Sequence, residues 1–402
     1  METAYEIEKR PVWQDGRAIA LLLAASLTTM ANATISPALP GLERLFAGDP
    51  NAAMLTRLLV PAPSLGVALC APLVGLAADR FGRRRLLLAG VLLFLAAGTA
   101  GLVLPNLQMI FASRLLLGAA VALIMTAQTA LIGDYFTGDE RSALMGLQIS
   151  ARNFGGLVFI SLAGWVAALS PRLPFAIYGL AAAFLPLMWK VIIDQPRVSQ
   201  AGARPMAGAQ EQRSWAVMLA LLVLLQALTN MLFFVMPTQM PFFLEAGGYG
   251  SSVMTGAVLG ALMLSGGGFA LLYPRIQRAT GYAGLFCLGY AAMALGFALL
   301  LLARAPLPLF AAAAAIGMGY ALVSPSFVAL ALTLTPARVR GLGGGILTAS
   351  IFIGQFCSPL LSTPLITRHG YDQLFCGSAA LLAAMAALAG AGAVLSRRRV
   401  AL

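Results

Sequence analysis

The sequence predicts an all-α polytopic membrane protein in which twelve transmembrane helices form two six-helix pseudo-repeats. Its composition, its succession of apolar runs and an internal repeat support this prediction. Of the 402 residues, 60% are hydrophobic and 10% are charged, and the mean hydropathy is +0.88. Soluble domains carry about 25% charged residues, so the composition excludes a soluble globular protein.

The apolar runs have the length that a membrane span requires. A bilayer core is ~30 Å thick, and a helix that rises ~1.5 Å per residue crosses it in about 20 residues. Short polar segments separate the runs. The predicted spans are 17–40, 54–77, 85–104, 107–132, 143–169, 173–193, 215–244, 252–274, 282–303, 307–334, 341–365 and 373–395.

The distribution of basic residues predicts the orientation of these spans. Most of the 26 lysines and arginines fall in the termini and in alternate loops, and loops that stay in the cytoplasm are the ones enriched in these residues. We therefore expect both termini in the cytoplasm. The basic residues that give the net charge of +12 are scattered singly between apolar runs. They therefore indicate membrane topology and not a nucleic-acid partner. The first residues lack the features of a signal peptide, so the first span is expected to be retained.

The chain also divides into two similar halves. Five pairs of positions share one spacing along the chain, which indicates duplication of a six-helix unit. We expect residues 1–193 to form the first bundle and residues 215–402 the second. Residues 194–214 contain prolines, glycines and arginines and are predicted to be a flexible cytoplasmic linker. The five pairs are Gly82 and Gly281, Gly118 and Gly317, Arg141 and Arg340, Gly146 and Gly345, and Gly155 and Gly354.

The most distinctive stretch lies between the second and third spans, at residues 75–85, GLAADRFGRRR. Gly75 and Gly82 permit a tight turn and a close approach to a neighbouring helix. Asp79 is suited to capping a helix or pairing with an arginine. The charged side chains must lie in water, because a hydrophilic hinge is not tolerated in hydrocarbon. The basic residues include Arg80, Arg83 and Arg84.

The pattern G-x-x-x-D-R-x-G-R-R-R closely resembles the signature between helices 2 and 3 of the major facilitator superfamily. The resemblance implies the major facilitator fold, with a substrate site near the midplane between two six-helix halves. It also implies a gating role, so we call residues 75–85 the gate motif. We expect Asp79 and its neighbouring arginines to hold the halves together at residues 341–345 when the protein faces outward. Alternatively, residues 75–85 form a loop that only sets the orientation of the protein in the membrane.

Two arginines fall within predicted spans, where charge is costly and normally faces a cavity or a partner. Arg114 lies roughly 10 Å into the fourth span and Arg152 roughly 14 Å into the fifth. Arg114 and Gly118 resemble the superfamily's helix-4 motif R-x-x-x-G, which the resemblance assigns to the transport pathway or a proton relay. No acid lies inside a span, so we expect both arginines to bind an anionic group of the substrate or a bound anion. Alternatively, neighbouring carbonyls, Asn153 or Gln128 satisfy them.

The chain departs in two places from the drug:proton antiporters that it otherwise resembles. Those proteins often carry a carboxylate in helix 1, where this chain offers Asn32. Their helix-5 signature G-x-x-x-G-P-x-x-G-G has no counterpart of its Gly-Pro pair near Arg152. Protons are therefore a candidate coupling ion, but the sequence does not identify a residue that would bind them. Other candidates for the transport pathway are polar residues on the spans: Asn32, Gln128, Asn153, Asn230, Gln239 and Gln355.

The resemblance implies a secondary transporter of a bacterial inner membrane that exports small amphipathic or anionic compounds by alternating access. Uptake or exchange of an organic anion is the alternative, and the two arginines within spans favour it. An enzyme is not expected, because no cluster of His, Cys, Asp and Glu forms a catalytic or metal-binding set. We expect no cofactor, and a monomer in the lipid bilayer with a small-molecule substrate.

Overall fold

A computed structural model describes residues 14–194, 212–303, 305–336 and 340–400. These residues contain helices and turns and no strand, which confirms the all-α prediction. The helices of the first half are α1 (Gly16–Ala33), α2 (Leu39–Leu45), α3 (Ala52–Leu59), α4 (Ala62–Phe81), α5 (Arg83–Thr99), α6 (Leu107–Tyr135), α7 (Gly138–Leu169), α8 (Pro174–Ile177) and α9 (Ala181–Val191). Those of the second half are α10 (Gln212–Ala246), α11 (Ser252–Leu301), α12 (Pro306–Leu334) and α13 (Arg340–Val400).

The described residues supply the twelve predicted membrane crossings. Nine of their helices are long and apolar enough to cross a bilayer, and the bent pair α3 and α4 makes a tenth. Two of these are 50-residue stretches within α11 and α13, and each is broken at a glycine with non-helical backbone angles, Gly281 and Gly370. Each therefore crosses the membrane twice. The second predicted span is bent by 58° between α3 and α4, where Pro61 precedes α4.

Local sequence explains where several helices begin. The Asp15 side chain accepts a hydrogen bond from the backbone N–H of Arg17 at 2.8 Å and caps α1. Asn106 caps α6 in the same way, and such caps satisfy N–H groups that lack a partner within the helix. Burial by itself raises the pKa of the Asp15 carboxyl, but the hydrogen bonds from Arg17 outweigh it and hold that pKa below its usual value.

Glycines that share the repeat spacing make equivalent close contacts in the two halves. A Cβ at Gly118 on α6 would lie 2.1 Å from the carbonyl oxygen of Pro63 on α4. A Cβ at Gly317 on α12 would lie 2.1 Å from the carbonyl oxygen of Leu262 on α11. Small residues let membrane helices approach this closely. This close helix pairing is therefore the same in the two halves.

The halves meet along a seam formed mainly by α7 against α11 and by α4 against α13. A Cβ at Gly164 of α7 would lie 3.1 Å from the Cα of Gly256 on α11, so these helices nearly touch. We refer to the two ends of the bundle by residues that lie there. The Gly82 end contains the turn between α4 and α5, and the Arg44 end contains the end of α2.

Candidate functional site

The gate motif folds as the end of α4, a single-residue turn and the start of α5. Gly82 forms the turn with φ of 87°, in the left-handed region that favours glycine. Gly281, its counterpart in the repeat, has φ of 68°. A Cβ at Gly82 would lie 2.8 Å from a carboxylate oxygen of Asp194. Gly82 therefore forms a tight turn, and its close neighbour is the side chain of Asp194, beyond the end of α9.

The arginines after Gly82 bind acids and carbonyls of the first half. Arg83 forms an ion pair with Asp134 at the end of α6. The backbone N–H of Arg84 donates to Asp194 at 2.8 Å, and its guanidinium donates to the carbonyl of Trp189 at 2.8 Å. These contacts tie the start of α5 to the ends of α6 and α9. Asp194 and Trp189 were not predicted as site residues; an acid directly after the sixth span was the available signal.

The predicted gate across the halves stays a prediction. Arg80 is exposed and lies over the ring of Phe81, within its own helix. Gly75 and Asp79 belong to α4, but the described part of the structure does not include the surroundings of Gly75 or the side chain of Asp79. Among the described residues, no hydrogen bond or ion pair joins the two halves at the Gly82 end.

At the Arg44 end, by contrast, polar contacts join the halves. Arg44 forms an ion pair with Glu245, at the end of α10. The Ser36 hydroxyl donates to the carbonyl of Pro237. Arg57 is held by Glu43 at 3.0 Å and lies 3.8 Å over the ring of Phe242. The described structure is therefore closed at the Arg44 end.

Gln355 contributes to the same closure. Its side-chain oxygen accepts a hydrogen bond from the Ser64 hydroxyl at 2.5 Å, which links α13 to the start of α4. Gln355 was predicted to line the pathway, and the structure places it at the seam between the halves. Ser64 lies about 17 residues before Phe81 on the same helix, which is roughly 25 Å. This contact therefore lies toward the Arg44 end of the bundle.

Arg114 is completely buried on α6. Its guanidinium donates to the carbonyl of Gly98 at 2.9 Å and lies 4.8 Å from the ring centre of Phe175 and 4.6 Å from that of Tyr178. Aromatic faces attract cations, most strongly where water is excluded. Its Nε and one terminal nitrogen have no hydrogen-bond partner. Arg114 thus joins α6 to α5 and α8 within the first half.

Arg152 on α7 has different surroundings. The side chain is half-buried, and its buried Nε has no hydrogen-bond partner. One turn along the helix, a Cβ at Gly156 would lie 2.8 Å from Thr29 and 3.3 Å from the sulfur of Met263. Arg152 therefore lies on the face of α7 that meets both α1 and α11. The structure does not place the two arginines around shared neighbours.

The remaining predicted residues of the first half are mostly bound to backbone. Gln128 is buried and donates to the carbonyl of Leu21 at 2.7 Å. Asn153 donates to the carbonyl of Ile149 at 3.0 Å and packs against Gly267 across the seam. These contacts are typical of side chains that join helices. The buried side-chain oxygens of Gln128 and Asn32 have no hydrogen-bond partner.

The second half contains a polar and aromatic cluster on α10 and α12. Asn230 is buried and accepts a hydrogen bond from the Tyr320 hydroxyl at 2.8 Å. The ring of Tyr320 stacks on Phe233, with ring centres 3.9 Å apart. One turn before Asn230, Gln226 is buried and neither atom of its side-chain amide has a partner. Tyr320 and Gln226 were not predicted as site residues; the available signal was that aromatic and amide residues occur on these spans.

Gln239 lies further along α10. Its amide nitrogen donates to the hydroxyls of Ser362 at 2.8 Å and Thr363 at 2.9 Å, so it fixes α10 to α13. Near this contact a cavity of about 190 Å³ lies between α10 and α13, with Ser358 and Ser362 among its lining residues. Within the described residues, no group of His, Cys, Asp and Glu is arranged to hold a metal ion.

A comparison with known families decides the identity of this fold. The profile of the Major Facilitator Superfamily matches residues 21–285, which is more than half of the chain. The chain belongs to the major facilitator superfamily. This membership and the fold indicate a multi-pass membrane protein of a transporter family, a class whose members are not normally enzymes.

Relatives of this major facilitator protein include bacterial proteins named for drug resistance. Multidrug resistance protein 2 of Bacillus subtilis is 30% identical over 141 residues, which are 35% of this chain and 35% of that protein. Quinolone resistance protein NorA of Staphylococcus aureus is 27% identical over 142 residues, 35% of this chain and 37% of that protein. The chain thus matches about a third of the length of these curated relatives.

Solved structures of other major facilitator proteins share the fold. The D-xylose-proton symporter superimposes with a TM-score of 0.76 at 17% identity, over 93% of this chain and 96% of that chain. The nucleoside transporter NupG gives a TM-score of 0.73 at 12% identity, over 93% of this chain and 99% of that chain. At such identities the likeness shows the architecture alone.

Proposed function

We propose that this chain exports small amphipathic or anionic compounds across a bacterial cytoplasmic membrane by alternating access. The observation that carries the proposal is the similarity to proteins named for multidrug and quinolone resistance, combined with superfamily membership over residues 21–285. The conformation supports alternating access, because the halves are joined by polar contacts at the Arg44 end and by none among the described residues at the Gly82 end.

The orientation inferred from the sequence places the Gly82 end in the cytoplasm. In that orientation the closed Arg44 end faces the outside, as in an exporter before it takes up its substrate. The pathway would be lined by α1, α7, α10 and α12, which carry Asn32, Arg152, Asn230 and Tyr320. Because both walls belong to one chain, we propose that a monomer is the working unit.

Uptake or exchange of an organic anion is the second candidate. The half-buried and unpartnered Arg152 favours it, because an anion is the natural partner for such a group. Direction of transport separates the two functions, whereas the fold does not, since the structural neighbours include a symporter that acts on D-xylose and a nucleoside transporter.

Oriented membrane vesicles test the proposed direction. Inside-out vesicles that contain the protein should accumulate a fluorescent amphipathic dye when a pH gradient is imposed, and right-side-out vesicles should not. Vesicles without the protein are the control. Collapse of the pH gradient tests protons as the coupling ion. Accumulation in right-side-out vesicles only would contradict export and establish uptake.

A further inference from the structure

Arg152 carries a charge within the bundle for which the described residues offer no partner. Its Nε is buried and makes no hydrogen bond. The four ion pairs in the described part of the chain use Arg17, Arg44, Arg57 and Arg83. Their acids lie at or beyond helix ends. A charge held within a membrane protein without a counter-charge is costly, so a bound anion would stabilise Arg152.

The face of α7 that carries Arg152 does not point to lipid. The exposed apolar side chains Val158 and Trp165 mark the lipid-facing side. At about 100° per residue, these positions lie roughly 120–140° around the helix from Arg152. On the side of Arg152 itself, Gly156 packs between Thr29 of α1 and Met263 of α11. The guanidinium is therefore directed to the seam between the halves.

The same face becomes more open toward the Gly82 end. Ile149 and Met145 precede Arg152 by about one and two turns, and they are 41% and 47% exposed. Side chains on a helix lean toward its N-terminus, which for α7 is the Gly82 end. Along this face, two exposed apolar side chains therefore lie between Arg152 and the Gly82 end, and the packed Gly156 lies on the other side of Arg152.

Hydroxyl groups near this face do not neutralise Arg152. The Ser26 hydroxyl donates to the carbonyl of Leu23 at 2.7 Å, and that of Thr28 donates to the carbonyl of Ala25 at 2.7 Å. Arg114 is occupied by Gly98 and by two aromatic rings. Within the described spans, Arg114 thus makes one hydrogen bond and two ring contacts, whereas the buried Nε of Arg152 makes none.

We infer that Arg152 binds the oxyanion of an amphipathic substrate, while Ile149 and Met145 contact the substrate's apolar part. The planar guanidinium forms paired hydrogen bonds with a carboxylate or phosphate. This inference rests on the proposed transport function and names the substrate class: organic anions with an apolar body. It assigns the anion to Arg152 alone and leaves Arg114 as a structural residue.

Equilibrium binding to the purified full-length protein tests the inference without any gradient. The probe is a fluorescent aromatic carboxylate, and its uncharged methyl ester is the matched ligand. A hydrogen-bonded charge contributes about 1.5–3 kcal/mol, so the wild-type protein should bind the acid about 10- to 100-fold more tightly than the ester. Arg152→Gln should remove that preference and leave the affinity for the ester unchanged. Equal binding of acid and ester by the wild-type protein would overturn the inference.

Arg275→Gln is the control variant, because Arg275 is an exposed arginine of α11 near the Gly82 end. It should keep the preference for the acid. A preference that survives in Arg152→Gln, or that is lost in Arg275→Gln as well, would also contradict the assignment. If Arg152→Gln fails to fold, Arg152→Met takes its place, with the same expected loss of the preference for the acid.

Two further measurements are needed. One distinguishes a substrate anion from a lipid headgroup, and the other distinguishes failure of the Arg152 assignment from failure of the proposed export. Nanodiscs made only of zwitterionic lipid should retain the preference for the acid; a preference that instead requires anionic lipid would assign Arg152 to a headgroup and overturn the substrate reading. Because binding is measured at equilibrium, failure of export in oriented vesicles leaves the binding result intact. Conversely, export of acid and ester at equal rates would support transport and refute the role of Arg152.

Discussion

Gly118→Ala should reduce the amount of folded protein several-fold, the largest effect that we expect from a single added methyl group. The new Cβ would lie 2.1 Å from the carbonyl oxygen of Pro63 and 2.8 Å from the Cα of Gly66. Both are backbone atoms, so no side chain can move aside and α4 must separate from α6. Overpacking of this kind costs about 3 kcal/mol at the upper end of its usual range. Thermal stability in detergent measures the loss.

The internal repeat supplies matched controls for this prediction. Gly317→Ala introduces the same clash in the second half, with Leu262 in place of Pro63, and should cost a similar amount. A Cβ at Gly146 or at Gly345, another pair of repeat counterparts, would meet no atom within 4 Å. Alanine there should be neutral or slightly stabilising, because alanine favours a helix by about 1 kcal/mol over glycine. Equal stability of Gly118→Ala and Gly146→Ala would contradict the close packing.

Arg114→Met should also destabilise the protein strongly. The change removes the hydrogen bond to the Gly98 carbonyl and the contacts of the cation with the rings of Phe175 and Tyr178. A desolvated cation–π contact contributes about 2 kcal/mol and a charged hydrogen bond about 1.5–3 kcal/mol. After subtraction of the cost of burying the charge, we expect a loss of about 2–4 kcal/mol. The yield of folded protein and its melting temperature should both fall.

The same substitution at Arg152 should have the opposite effect on stability. Arg152 has no hydrogen bond among the described residues, and replacing an unpaired buried charge with an apolar side chain is often neutral or stabilising. Arg152→Met should therefore keep or raise the melting temperature while it weakens binding of the carboxylate probe. If Arg152→Met unfolds the protein and Arg114→Met does not, the assignment of structural and ligand-binding roles is reversed.

Features that depend on local chemistry were predictable from the sequence. The spans follow from the length of the apolar runs, and the turn at Gly82 follows from the need for glycine where φ is positive. The repeat spacing pairs Gly82 with Gly281, and both adopt positive φ. Each of these properties resides in a few neighbouring residues.

Features that depend on which helices meet were not predictable in the same way. The sequence placed Arg114 at membrane depth, but its partners come from α5 and α8, and only packing brings Gly98, Phe175 and Tyr178 together around it. Asp194 was assigned to the linker, yet it binds the backbone of Arg84. Polar residues on spans look alike in a sequence, whether they join helices, as Gln239 does, or lack a partner, as Gln226 does.

Cross-linking of the Arg44 end tests most directly the claim that the two ends of the protein open alternately. Arg44 and Glu245 are in contact across the halves, so cysteines at both positions are suited to a short cleavable cross-linker. The background should lack the four free cysteines, Cys70, Cys287, Cys357 and Cys376.

Transport of the amphipathic dye in inside-out vesicles is the measurement. Cross-linked protein should transport no faster than protein-free vesicles, and cleavage of the linker should restore the rate, because opening at the Arg44 end is then possible again. Protein with either cysteine alone should be unaffected by the reagent. Transport by the fully cross-linked protein at the rate of the unlinked protein would contradict alternating access.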